Sequence, residues 1–406
     1  GENIGDPIQK NHKLPQWIKD IISDLVRNDD TYSYCPSKGM LQTREFLAAQ
    51  TNAMGGVQIT AEDICFFNGL GDAISKVYQF ISRTSRVIGP SPAYSTHSSA
   101  EAAHAAHEPL TYKLDPNNKW YPDLDDLYNK VKYNANIVGI LIINPDNPTG
   151  MVYPLETLKR IVQIAKEFNL FLIADEIYIN ITYNGARAYA LAEVIEDVPG
   201  ISMKGISKEM PWPGSRCGWM EYYNRDKDKD FNRFCHTLDN AKMIEVCSTK
   251  LPQLAIPKVL GDARFKPYRL AINENIGRRS KIIADILHTV PQLTFNETFG
   301  AFYNTITFRE CVLKNNQQLT INNAAAKALV EQWVNNADGT PNQAMPLDKR
   351  FVYYLLAAKG VCVVPISSFC SELQGFRVTL LEENEAMLVK TFTAIRDGIV
   401  EYLQSA

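Results

Sequence analysis

Four short segments hold side chains whose types and spacing suit chemistry. Ser207-Lys208 stands eight residues before Arg216, so an amine and a guanidinium lie close together along the chain. An amine can add to a carbonyl and later carry a proton, and a guanidinium fork matches phosphate or carboxylate. Any surface carries lysines, however, and among 42 Lys and Arg residues Lys208 gains weight only from its companions. Asp175-Glu-Ile-Tyr178 ends an apolar run, where a carboxylate is costly to hold unless a cation meets it. The plainer alternative is an aspartate capping the next helix. Asn144-Pro-Asp-Asn-Pro-Thr-Gly150 follows another apolar run, and its prolines restrict the backbone so that the Asn side chains are held in place; alone it is also an ordinary turn. Asn68-Gly69-Leu70-Gly71 closes a third run with a tight turn into a helix.

The elements that position these residues follow from hydrophobic spacing. Asp63 to Phe67 is a short apolar run, after which Ile74, Val77, Tyr78 and Ile81 recur at helical intervals. Ile137 to Ile143 is a β-branched run, and Leu155, Leu158, Val162, Ala165 and Phe168 then mark an amphipathic helix, followed by a strand over Leu170 to Ala174. Continuous apolar strands joined by helical crossovers predict an α/β fold: a mostly parallel central sheet with helices on both faces and chemistry just past the strands' C-terminal ends. From about residue 265 longer helical patterns, a polar stretch from Asn335 to Pro346 and a terminal helix with Leu388, Phe392, Ile395 and Ile399 predict a smaller α+β domain. The division expected is 35–265 for a large domain, with 1–34 and 266–406 forming the small one. The mixed-sign run Arg225 to Asp230 reads as a solvated loop.

Composition narrows the class. The chain has 406 residues, 45% hydrophobic and 21% charged, enough for about two domains with a substantial core. Its net charge of −3 supplies no basic field to attract nucleic acid or an anionic membrane. The longest apolar run, Ile137 to Ile143, is far short of the ~20 residues that span a bilayer, so a soluble protein is expected. The eight cysteines form no C-x-x-C pair, which argues against structural zinc and a disulfide framework and for buried or incidental thiols in a reducing cytoplasm. No metal site is expected. The chain starts Gly-Glu-Asn without Met, as a trimmed start or tag scar would, and Gly1 is set aside.

Taken together, Ile4-Gly-Asp-Pro7, Tyr34-x-Pro36-x-x-Gly39, Gly69-Leu-Gly71, Pro92-Ala-Tyr94, Asn144 to Gly150, Asp175 to Tyr178, Ser207-Lys208 and Phe376-Arg377 occur in an order that resembles the class I/II aminotransferases. These are fold type I enzymes of the aspartate aminotransferase kind that use pyridoxal 5′-phosphate. The resemblance covers the whole chain. Gly69-Leu-Gly71 alone would suggest a dinucleotide loop, but Ile74 stands where that loop needs its third glycine.

The resemblance implies roles that can be set against physical need. Lys208 resembles the lysine that holds the cofactor aldehyde and moves the substrate's α-proton. Asp175 resembles the partner of the pyridine nitrogen, keeping it protonated as an electron sink, with His97 at a position that supports this Asp in some members. Asn147 and Tyr178 resemble the pair bonded to the 3′-oxygen, and Tyr94 the ring stacked on the pyridine. For the phosphate the resemblance implies the Gly69-Leu70-Gly71 turn with its backbone N–H groups, Arg216 and Ser207. Arg377 resembles the clamp on the substrate α-carboxylate, with Gly5 closing over it and Asn147 beside it. Tyr34 resembles a tyrosine reaching the neighbouring subunit's phosphate, which implies a homodimer with shared active sites.

Two positions depart from the family pattern: Gly205, where some members carry a phosphate-binding Ser or Thr, and Ile366, where Gly is common. The first residues correspond to a point some way into many members, so a short or missing N-terminal arm is expected. The activity implied is amino transfer between an L-amino acid and a 2-oxo acid by a ping-pong mechanism. Another fold type I reaction on the same residues, a β-lyase, decarboxylase or cyclopropane-forming synthase, stands as the alternative, and a non-catalytic cofactor-binding regulator is a further one. An acidic substrate would require a second arginine, for which Arg187, Arg269, Arg278 and Arg279 are candidates.

Overall fold

A computed structural model describes residues 1–405. Its larger sheet is built from β1 (Ile64–Phe67), β2 (Arg86–Ser91), β3 (Thr111–Asp115), β4 (Tyr121–Pro122), β5 (Ile137–Ile143), β6 (Phe171–Asp175), β7 (Gly200–Gly205) and β8 (Gly218–Tyr223), in the order β1-β8-β7-β6-β5-β2-β3-β4. The four pairings that link β7, β6, β5, β2 and β3 are parallel. The pairings β1 with β8, β7 with β8 and β3 with β4 are antiparallel. The expected strands fall within a residue of the observed ones, and the helix Leu155–Glu167 follows β5 as its spacing requires.

Both faces of this sheet are covered, which is why its strands are apolar without alternation. Ile140 and Ile142 of β5, with Leu172 and Ala174 of β6, enter one core; Leu141, Ile143 and Ile173 enter the core on the opposite face. Asp175 continues the alternation of Ile173, so it emerges at the strand end on that second side, toward the helix Ser95–Ala105.

The second sheet has strands β9 (Leu293–Thr294), β10 (Tyr303–Phe308), β11 (Val364–Pro365) and β12 (Gly375–Thr379), all antiparallel, in the order β11-β12-β10-β9. The terminal helix Glu385–Gln404 closes its core with Leu388, Phe392, Ile395 and Ile399, each fully buried. The N-terminal residues divide between the two cores. Glu2 exchanges backbone hydrogen bonds with Cys362 and Thr379 beside the small sheet, whereas Ile18, in the helix Gln16–Val26, is buried in the core of the large one. The run Arg225 to Asp230 is more ordered than a solvated loop. Asp228 accepts a hydrogen bond from the Phe231 N–H (2.7 Å) and caps the helix Lys229–Ile244, while Arg225 lies near Asp63 and Asp239. No helix among the described residues is long and apolar enough to cross a membrane.

Candidate active site

The C-terminal ends of β1, β5, β6 and β7 and the near edge of the small sheet surround a cavity of about 290 Å³, close to the lower limit of ordinary small-molecule sites. Lys208, Asp175, Asn147, Tyr178, Arg377 and Gly5 line it, as do Tyr94, Ser207, Arg216, Leu70 and Gly71. Residues scattered over the whole sequence therefore converge at one place.

Each wall has a local cause. The turn after β5 is self-braced: Asp146 accepts hydrogen bonds from the Thr149 N–H (3.0 Å) and hydroxyl, and Asn144 Oδ1 accepts from the Tyr153 N–H (2.9 Å). Gly150 has φ +74°, and a Cβ there would collide with the Tyr303 carbonyl, so the turn seats directly on β10. Burial pushes the Asp146 carboxyl up to about 7, opposed by the Thr149 hydrogen bonds and reinforced by the charge of Asp175. At the end of β6, Asp175 is buried, with Oδ2 2.8 Å from His97 Nε2 and Oδ1 accepting from the Ile177 N–H. His97 thus joins the site, and the chain after β6 is a turn rather than a helix, so Asp175 caps no helix there.

At the end of β1, Gly69 adopts φ +86°, and the Arg216 guanidinium occupies the space its Cβ would need. No side chain caps the helix Leu70–Phe80, so its first amides remain available to an anion beside Arg216. Lys208 donates to the Gly5 carbonyl at 2.6 Å. Four residues earlier, Lys204 is buried at 3.0 Å from Glu221 and 3.7 Å from Glu176. Burial alone would discharge Lys204, but the two carboxylates outweigh it and raise its pKa, leaving no free amine for chemistry.

Arg377 projects from β12 and is buried. Nη1 donates to Asn147 Oδ1 (3.2 Å) and Nη2 to the Asn3 carbonyl (2.6 Å), while Nε has no partner. Its guanidinium lies between the rings of Tyr303 (4.3 Å) and Phe369 (4.9 Å), with no carboxylate in salt-bridge range among the described residues. A buried cation without an anion, with its donors on neutral oxygens, is arranged to receive a carboxylate.

Several expected residues stand elsewhere. Tyr34 is 81% exposed and does not border the cavity of its own chain. Arg187 pairs with Glu193, Arg278 with Glu385, Arg269 donates to the Glu209 carbonyl and Arg279 to that of Leu380. None of the four borders the cavity. At Gly205 a Cβ would press at 3.0 Å on both the Cys217 carbonyl and Ile177 Cδ1, so this position is sealed and offers no phosphate contact. Ile366 is fully buried in the short helix Ile366–Phe369, whose last residue stacks on Arg377. Tyr303 borders the cavity and escaped the sequence analysis. A tyrosine opening a strand is ordinary, and its relation to Arg377 arises only from the register of β10 against β12.

This fold and cavity define an aminotransferase: the family model described as Aminotransferase class I and II matches residues 3–390, and the chain belongs to that family. It is 53% identical over 404 residues to an uncharacterised aminotransferase of Methanocaldococcus jannaschii, which covers all of this chain and 92% of that protein. It is 30% identical over 303 residues to the glutamate-pyruvate aminotransferase AlaA of Escherichia coli K12, covering 74% of this chain and 73% of the relative. The solved structure of an alanine aminotransferase from Pyrococcus furiosus has the same fold, with TM-score 0.81 at 24% identity over 98% of this chain and 91% of that one.

Proposed function

We propose that this chain transfers an amino group between an L-amino acid and a 2-oxo acid with pyridoxal 5′-phosphate as cofactor. The observation that carries the reading is the pairing, in one cavity, of Lys208 and Arg377, two cations whose polar partners are backbone carbonyls and an amide. The donor set suits the cofactor: an aldehyde needs the Lys208 amine, a phosphate needs Arg216 with the Leu70 and Gly71 amides and Ser207, and a pyridine nitrogen needs the Asp175 anion. When bound, the cofactor supplies an electron sink for the substrate's α-carbon.

The protein's part follows from its side chains. Asp175, fixed by His97, holds a proton on the ring nitrogen. Tyr178 and Asn147 would donate to the 3′-oxygen, and Tyr94 would cover the ring. Arg377 would orient the substrate by its α-carboxylate, in place of the Asn3 carbonyl it now meets, with the α-hydrogen toward Lys208 Nζ, the group placed to take that proton as a base and give it back as an acid. Gly5 closes over the carboxylate. Tyr34 serves the phosphate of a partner chain, which makes the functional unit a homodimer, and the setting is cytoplasmic. A two-lobe division, 35–265 against 1–34 with 266–406, belongs to the same reading, corrected in that the helix Gln16–Val26 packs with the large lobe through Ile18.

The named activity of the E. coli relative makes glutamate, alanine, pyruvate and 2-oxoglutarate the first substrates to try. The test is a half-reaction screen: purified protein loaded with cofactor is mixed with single amino acids, and the visible absorbance band is followed. Conversion by at least one amino acid, reversed by a 2-oxo acid, is expected. A band that no amino acid changes, or one lost with release of carbon dioxide or ammonia, would overturn the transfer reaction.

A further inference from the structure

Tyr303 stands where three parts of the cavity meet. Its hydroxyl lies 3.0 Å from that of Tyr178, its ring faces the Arg377 guanidinium at 4.3 Å, and Gly5 packs so closely on the hydroxyl that a Cβ at residue 5 would overlap it. Tyr303 is buried, and its ring meets that of Tyr178 edge to face.

Two facing hydroxyls share one hydrogen, so one must donate and the other accept. Burial, and then the neighbouring Tyr303 phenol, push the Tyr178 pKa well above its ordinary value, so Tyr178 keeps its proton. If that proton points to the 3′-oxygen of the cofactor, the bond between the hydroxyls must run from Tyr303 to Tyr178. Donation into the Tyr178 oxygen polarises its own O–H and strengthens the bond that O–H makes in turn.

We propose that Tyr303 is a positioning residue that ties the cofactor's ring oxygen to the substrate clamp: its hydroxyl orients and polarises Tyr178, and its ring fixes the Arg377 guanidinium against Phe369. The inference rests on the assignment of Tyr178 and Arg377 in the proposed function. It divides Tyr303 into two separable halves. The hydroxyl acts toward the ring oxygen; the aromatic face acts toward the carboxylate.

The experiment uses cofactor-loaded protein and two readouts, the pH titration of the visible absorbance band and the split of KM against kcat for an amino acid substrate. Tyr303→Phe keeps the ring and removes the donor. A less polarised Tyr178 stabilises the ring-oxygen anion less, so the midpoint of the titration should rise, by roughly a few tenths to one pH unit. Its KM should stay within about twofold of the unaltered protein, because the cation still faces a ring. Tyr303→Leu removes both, and its KM should rise roughly threefold to tenfold in addition. Tyr178→Phe serves as the reference and should move the midpoint upward by more than Tyr303→Phe does. A midpoint moved by Tyr178→Phe but not by Tyr303→Phe would overturn the proposal and leave the site reading intact. If Tyr178→Phe also leaves it unmoved, the assignment of Tyr178 itself falls.

Discussion

His97 Nε2 and Asp175 Oδ2 lie 2.8 Å apart with both side chains buried, one on the helix Ser95–Ala105 and the other at the tip of β6. The imidazole holds one carboxylate oxygen, and the Ile177 N–H holds the other. The carboxylate is thereby fixed in orientation at the cavity wall.

Asp175→Asn keeps the size of the side chain and an oxygen for the Ile177 N–H but removes its charge. The variant should fold normally and lose transamination by several orders of magnitude, because a neutral amide cannot keep the ring nitrogen protonated. Circular dichroism and single-turnover rates measure the two effects; near-normal turnover would reduce Asp175 to a brace of the turn that follows β6.

Borohydride reduction of the loaded protein should attach the cofactor to Lys208, and Lys208→Ala should still bind it while losing transfer. Lys204, tied between Glu221 and Glu176, should remain unlabelled. Mass spectrometry of the reduced protein locates the adduct, and label on Lys204 would refute the assignment.

If Arg377 receives the substrate carboxylate as proposed, truncating it would leave that anion unpaired, a loss on the order of 2–5 kcal/mol. Arg377→Leu should lower kcat/KM for amino and oxo acids accordingly, and Arg377→Lys should also be poor because it lacks the fork. The cofactor spectrum should persist in both. Unchanged kcat/KM, or loss of the cofactor, would remove Arg377 from the substrate site.

The exposed position of Tyr34 makes it a test of shared sites. Mixing inactive Lys208→Ala chains with chains damaged at Tyr34 should restore part of the activity, since one site of each mixed dimer keeps both residues. A fully active monomer in sedimentation would exclude this.

Asp146 gives a pH signature. Its folded pKa of about 7 lies above the ordinary 3.8, so the folded state binds the proton more tightly than the unfolded one. Stability therefore falls as pH rises from about 4 through 7 and levels above that, by at most about 4 kcal/mol. Asp146→Asn keeps an acceptor for Thr149 and abolishes the titration. Its melting temperature relative to the unaltered protein should be higher at pH 8 than at pH 5, and an equal difference at both values would contradict the titration.

The motif-bearing side of the cavity was legible in the sequence because its residues lie immediately after apolar strands. Asp175 and Asn147 announce themselves as polar groups where a buried strand ends. Ile137 to Ile143 matched β5 to the residue, since seven apolar residues bounded by Asn-Pro leave little freedom. The opposite side was not legible in the same way. Tyr303 meets Arg377 only through strand pairing distant in sequence, and the helix Gln16–Val26 joins the large core through Ile18, although its neighbours near residue 2 belong with the small sheet. Asp228 looked like one charge among several, and its capping role required knowing that a helix begins at Lys229.

The first residues of the chain join the two ends of the cavity. The Asn3 carbonyl accepts from Arg377 and the Gly5 carbonyl from Lys208, while Glu2 is pinned to Thr379 by its backbone and by its carboxylate, which also meets Lys10. Ligands that took up both cations would replace two of these attachments and leave the Glu2 anchor. Ligand occupancy should therefore be readable without any chromophore: the Thr379 amide, whose acceptor is the Glu2 carbonyl, becomes an isotope-exchange clock for the segment whose Ile4 and Gly5 line the cavity.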